Sequence, residues 1–170
     1  KTKTKQIYGY LAHNPNDLLS SKGKIIIKTL IQLKKQKLVK KIGVSVYEVK
    51  ELKKILKVFK PDIVQLPINI LNQSFLKNDF LKKIKELGIE IQVRSIFLQG
   101  IIFKNYAELS DKFNLLKENL NKLKDISAKN KISLTSLFLQ FVANNKYIDH
   151  LIVGVDSLQN LKENIYLIKT

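Results

Sequence analysis

Short β-prone runs and helical runs alternate along this chain, and that alternation leaves few architectures open to it. Gln6 to Leu11 (QIYGYL), Lys41 to Val46 (KIGVSV), Ile63 to Ile68 (IVQLPI), Ile89 to Ile96 (IEIQVRSI) and His150 to Val155 (HLIVGV) read as five strands. Between them, Lys24 to Gln36 and Glu48 to Phe59 carry apolar residues at helical spacing, with Val49, Leu52, Ile55, Leu56 and Phe59 on one face of the second. Ser74 to Leu87 reads as a third helix, and Gly88 supplies its C-terminal stop. Leu109 to Ser127, Ser133 to Ala143 and Ser157 to Ile168 read as three more, the last two opening on a serine that can cap them. Short strands alternating with helices predict βα units on a parallel sheet.

No glycine-rich loop of the GxGxxG or GxxxxGK[ST] kind is present, which argues against a doubly wound dinucleotide fold and a P-loop protein. The common parallel architecture that remains is the (β/α)8, or TIM, barrel, which takes about 250 residues when whole. Five units in 170 residues predict a partial barrel, an α/β chain folded as one domain over 1–170. The chain contains no methionine, at position 1 or elsewhere, so it is expected to begin partway through something longer.

The formal charge of +17 raises the question of nucleic acid. The basic residues are spread over every predicted helix and alternate with apolar positions, which describes a solvated surface. All but one are lysine, whereas readers of bases and phosphates favour the planar fork of arginine. Nucleic acid is therefore not expected as a partner. No apolar run approaches the length of a membrane span, so no membrane is expected either. The absence of cysteine suits a reducing compartment, and a cytoplasmic location is expected.

In a barrel, chemistry gathers at the C-terminal ends of the strands. The first predicted strand leads to His13, the second to Ser45, the third to Gln65, then Pro67 and Asn69, the fourth to Arg94 and Ser95, and the fifth to Gly154, Asp156 and Ser157. Each polar residue has a structural alternative. His13 could be a satisfied structural histidine, Ser45 a helix cap, Gln65 a partner for backbone and Arg94 half of an ion pair. Their arrival together at one rim points to a site.

The segments that carry these residues resemble the aldo-keto reductase family, from its fourth barrel strand to its eighth and over essentially the whole chain. Tyr10 to Pro15 (YLAHNP) is similar to the strand-four motif, which implies that His13 is the active-site histidine. Lys41 to Ser45 (KIGVS) is similar to the fifth-strand motif, which implies that Ser45 bonds the nicotinamide carboxamide. Asp62 to Gln65 (DIVQ) is similar to the sixth, which implies that Gln65 holds the other side of that group. Val93 to Ser95 lies at the seventh, with Ser95 toward the cofactor pyrophosphate. Ile152 to Val155 and Leu161 to Asn164 resemble the last strand and helix, with Glu163 and Asn164 toward adenine. The resemblance implies hydride transfer between NAD or NADP and a small-molecule carbonyl substrate.

Two departures qualify what it implies. Many members place an aromatic ring where this chain has Arg94, and the Lys-Ser pair and Arg of NADP-preferring members correspond to Gly154, Val155 and Asn160, which leaves NADP preference unsupported. The family's Asp, Tyr and Lys come from the first three strands and have no counterpart in these 170 residues, so the chain alone is expected to be inactive. A missing N-terminal barrel segment, or an oligomer, is expected to cover the open edges. The alternative is a truncated, non-catalytic paralogue that binds a nucleotide or acts in assembly.

Overall fold

A computed structural model describes residues 4–169. Five strands, β1 (Ile7–Ala12), β2 (Val39–Ser45), β3 (Ile63–Pro67), β4 (Glu90–Arg94) and β5 (His150–Leu151), form one sheet in the order of the chain, and every neighbouring pair is parallel. Helices α1 (Pro15–Leu19) and α2 (Gly23–Lys35) join β1 to β2, α3 (Val49–Val58) joins β2 to β3, and α4 (Phe80–Glu86) precedes β4. Helices α5 (Asn114–Lys129) and α6 (Leu134–Ala143) lie between β4 and β5, and α7 (Leu158–Lys169) closes the described chain. No described helix is long and apolar enough to cross a membrane.

The alternation predicted from sequence is present, with local differences. Helix α1 was not predicted; it is one short turn started by the Asn14 side chain, which accepts the Asn16 N–H, and by Pro15 at its first position. The helix expected over Ser74 to Leu87 is broken, because Asn78 and Asp79 adopt left-handed backbone and α4 begins only at Phe80. The helix expected from Leu109 starts at Asn114, after two short 3-10 turns. The fifth strand is two residues long instead of six. Gly88 ends α4 with φ +74°, and the Ser133 hydroxyl caps α6 through the Ser136 N–H.

A parallel sheet whose strand order follows the chain has crossovers of one hand, which put all helices on one face. The outward strand residues Ile42, Val44, Val64, Leu66, Ile91 and Val93 accordingly form one core with Leu52 and Ile55 of α3, Leu81 and Ile84 of α4, and Phe138 and Leu139 of α6. The alternate residues Lys41, Gly43 and Ser45, Ile63 and Gln65, and Glu90, Gln92 and Arg94 point to the other face. That inner face is largely polar.

The inner face is also curved. Tyr8 precedes Gly9 on β1, yet its hydroxyl donates to Glu90 on β4 at 2.7 Å, and its ring lies 6.2 Å from that of His150 on β5. In a flat sheet β1 and β4 would be about 14 Å apart. The sheet is therefore an arc of a barrel whose lumen layer is filled by crossing side chains. Glu90 is the hub of that layer: it also pairs with Lys41, accepts from Gln92 Nε2 at 3.0 Å and lies 3.3 Å from His150 Nε2. Burial alone would push its carboxyl up, but the bonds from Lys41, Tyr8 and Gln92 outweigh burial and hold it at about 2.

Two aspartates set strand register by the same device. Asp62, just before β3, gives its N–H to the Ile42 carbonyl, takes the Ile42 N–H on its carboxylate at 3.0 Å and binds Lys34 of α2 at 2.6 Å. Asp149, just before β5, treats Ile91 and Lys85 of α4 in the same way. Each ties a new strand, the preceding strand and that strand's helix together.

Two stability measurements follow from this packing. A Cβ on Gly43 would lie 2.1 Å from the Ile63 carbonyl oxygen, so Gly43→Ala must push β2 from β3 and should cost about 1–3 kcal/mol, read as a lower urea midpoint at unchanged slope. The depressed Glu90 carboxyl contributes stability that is present above its ordinary value of 4.5 and lost as pH falls toward 2. Unfolding free energy should drop by on the order of 3 kcal/mol across that window, and Glu90→Gln should flatten the drop. An unaltered slope in that variant would assign the acid sensitivity to another carboxylate.

Candidate active site

The rim at the C-terminal ends of the strands is built from successive residues in register. Ala12 pairs with Val44, so His13 and Ser45 follow as the next residues of adjacent strands. Ser45 is level with Gln65, which is level with Gln92, and Pro67 is level with Arg94 at the end of β4. His13 is exposed just past β1 and makes no side-chain hydrogen bond among the described residues.

The other predicted rim residues form a hydrogen-bonded chain. Arg94 Nε donates to Ser45 Oγ at 3.2 Å, and the Ser45 hydroxyl donates to Gln65 Oε1 at 3.4 Å. That leaves the Gln65 amide nitrogen, with its two N–H groups, available to a ligand carbonyl. Arg94 also donates from Nη1 to Ser95 Oγ at 3.2 Å and from Nη2 to the Val46 carbonyl at 3.4 Å. Its guanidinium carbon lies 4.3 Å from the Tyr47 ring centre. Ser45 is buried, so the local alternative of a helix cap is not what holds it; α3 is capped by Glu48 and Glu51 in a reciprocal capping box. Nor is Arg94 half of an ion pair among the described residues.

Ser95 has φ 60°, and its carbonyl accepts from the buried Asn69 Nδ2 at 3.0 Å. Asn69 Oδ1 takes the N–H groups of Leu71 and Asn72, so the loops after β3 and β4 are locked together. Leu98 and Gln99 are left-handed as well, at φ 52° and 56°, ahead of Gly100 at 84°. For a leucine this conformation costs about 1–2 kcal/mol, and such strain persists where the surroundings over-determine it.

Beyond Ser95 two adjoining cavities open, of about 330 and 420 Å³. Phe97, Phe103, Gly154 and Asp156 line both, with the two rings in edge contact at 5.4 Å. Ser95 lines the first, and Thr135, Asn160, Glu163 and Asn164 line the second. The Ser157 hydroxyl caps α7 through the Asn160 N–H at 3.1 Å, which fixes the helix that presents these residues. Asn164 is buried, whereas Asn160 and Glu163 are exposed. A side chain at Gly154 would meet open space.

The predicted residues therefore fall into three groups: the Arg94, Ser45, Gln65 and Ser95 network, the cavity residues Gly154, Asn160, Glu163 and Asn164, and His13 standing apart on the same rim. Sequence reasoning passed over Tyr47, Thr135, Phe97 and Phe103. The signal for the last two was present, since two aromatics flank Gln99-Gly100 in a stretch with neither helical nor strand periodicity. No cluster of metal ligands occurs among the described residues.

A model of the aldo/keto reductase family matches residues 1–170. No curated protein sequence matches. Solved structures share the fold. The holo form of aldo-keto reductase AKR11C1 from Bacillus halodurans superposes with TM-score 0.76 at 16% identity, over 99% of this chain and 55% of that one. The glycerol dehydrogenase AKR11B4 from Gluconobacter oxydans gives 0.65 at 12%, over 98% and 59%. A Gox0644 variant in complex with NADPH gives 0.67 at 18%, over 98% and 54%. The chain thus spans little more than half the length of these structures.

Ser45 is the link in the rim network. Ser45→Ala leaves Arg94 Nε and Gln65 Oε1 without their partner and should cost about 1–3 kcal/mol in urea unfolding. A loss below a few tenths would show that the two neighbours find other partners.

Proposed function

This chain belongs to the aldo/keto reductase family, and on that premise we propose that it is the cofactor-binding part of an NAD- or NADP-dependent reductase of small carbonyl compounds. The observation that carries the reading is the continuity of the rim: the bonded chain from Gln65 through Ser45 and Arg94 leads to Ser95, which lines the first of two adjoining cavities, the second lined by Asn164. An amide donor at one end, adjoining cavities lined by polar and aromatic side chains, and open space for a Cβ at Gly154 suit an extended dinucleotide. In this reading Ser45 and Gln65 hold the carboxamide and Ser95 and Arg94 the middle of the cofactor. Gly154, Asn160, Glu163 and Asn164 hold the adenosine end.

The cofactor, when bound, supplies the hydride. The chain's own part is to hold and orient. His13, exposed one residue beyond β1 and without a side-chain hydrogen bond among the described residues, would in this reading donate a hydrogen bond to a carbonyl oxygen as negative charge develops there. The Asp, Tyr and Lys that the family resemblance calls for have no counterpart here, so the 170 residues alone are proposed to bind cofactor without turning over.

A second reading, a non-catalytic binding or assembly module, draws on the exposed apolar residues at the two ends of the sheet. Ile7 and Tyr10 lie uncovered on β1, and Leu158, Ile165 and Ile168 lie uncovered on α7. A chain that sediments as an oligomer and binds neither NADH nor NADPH would favour it.

The reductase reading predicts two separable effects. His13→Ala in the complete protein should lower turnover by about 100- to 1,000-fold with dinucleotide affinity retained; unchanged turnover would remove His13 from the chemistry. Gly154→Val should leave unfolding within about 0.5 kcal/mol, since a Cβ there meets open space, while weakening NADH and NADPH binding in calorimetric titration. Undiminished binding of both would move the cofactor out of these cavities.

A further inference from the structure

Among the described residues, Arg94 is a cation without an anion. The part-buried lysines that the sheet's carboxylates reach are both paired: Lys41 of β2 has Glu90, and Lys85 of α4 has Asp149. Arg94 is also part-buried, and its three acceptors among the described residues, the Ser45 and Ser95 hydroxyls and the Val46 carbonyl, are all neutral. Taking a charge out of water without a counter-charge is costly, and a chain that uses lysine at every other basic position has kept its one guanidinium here.

The geometry says what the guanidinium is kept for. Of its five N–H groups, three are engaged, which leaves one on each terminal nitrogen. The guanidinium lies over the Tyr47 ring, and its three bonds fix its rotation. Two spare donors on a fixed plane match the two oxygens of a carboxylate or of a phosphate, and prior fixing reduces the entropy lost on binding. Ser95, bonded to Nη1, lines the first cavity, so a group received by Arg94 would lie between that cavity and the side of the rim where His13 stands.

We propose that Arg94 is the seat of a ligand oxyanion, received bidentately by its terminal nitrogens. Two sources share this chemistry: the carboxylate of an oxo-acid substrate and the diphosphate of the cofactor. The inference deepens the reductase reading and rests on it only for which ligand brings the anion.

Because the chain has one arginine, phenylglyoxal labelling followed by peptide mass mapping reads that single site in the unaltered protein. Pyruvate and inorganic pyrophosphate are the two probes. Arg94 should label, and at least one saturating probe should slow labelling tenfold or more. Protection by pyruvate alone assigns the seat to a substrate carboxylate, protection by pyrophosphate alone assigns it to the cofactor, and protection by both supports a shared oxyanion seat. Labelling that neither probe slows, or no labelling at all, would overturn the proposal. Arg94→Lys, confirmed as folded by circular dichroism, should bind the protecting probe at least tenfold more weakly; equal binding would mean the planar fork is not needed and would also overturn it. Calorimetric titration with NADPH and NADH is read separately. Anion protection without dinucleotide binding would sink the reductase reading and leave the oxyanion seat standing.

Discussion

The hydroxyl of Tyr8 reaches the carboxylate of Glu90 across two intervening strands, and the organisation of the sheet depends on the curvature that makes this contact. A parallel sheet with helices on one face has no second layer for its other face, and the available solution is to curl that face in on itself. Once curled, residues from β1, β2, β4 and β5 meet in one layer, and a carboxylate at its centre satisfies a phenol, an ammonium and an amide and lies beside an imidazole. Gly43 belongs to the same constraint, because β2 approaches the Ile63 carbonyl too closely for any side chain.

The inner face of β4 distributes charge along its length. Glu90 stands at the N-terminal end, Gln92 in the middle and Arg94 at the C-terminal end. The charge at the first end is met within the chain, by Lys41, and its hydrogen bonds hold the carboxyl ionised far below its ordinary value. The charge at the other end is met, among the described residues, by neutral oxygens. One strand thus separates a closed electrostatic layer that holds the arc together from an open one that can receive a ligand. The left-handed residues of the loop after β4 lie on the open side, where Asn69 braces the first of them, Ser95.

The net charge has little part in either layer. Lysines cover the helices, and Lys34, Lys41 and Lys85 are paired with Asp62, Glu90 and Asp149, where they tie strand to helix or layer to layer. Arg94, by contrast, is held by bonds from all three nitrogens of its planar group, and the composition, with a single arginine among so many lysines, already singles it out.

Local sequence determined the elements whose stabilising interactions are themselves local. The 3.6-residue spacing of α3, the glycine after α4, the serine caps of α6 and α7 and the strand-end positions of Ser45, Gln65, Arg94 and Ser95 depend on near neighbours in the chain, and all were legible. Helix α1 was not, because five residues are too few to show a period. The break at Asn78 and Asp79 interrupts an apolar pattern that continues through it, and β5 stops after Leu151 where Ile152, Gly154 and Val155 stand exposed. Only the tertiary structure decided that Glu90 is interior: in IEIQV it reads as the solvent side of an alternating strand, and curvature alone turns that side into a lumen. The same holds for Tyr47 against Arg94 and for Phe97 and Phe103 between the cavities. These contacts join elements far apart in the chain, and no periodicity within one segment records which distant surface will be folded against it.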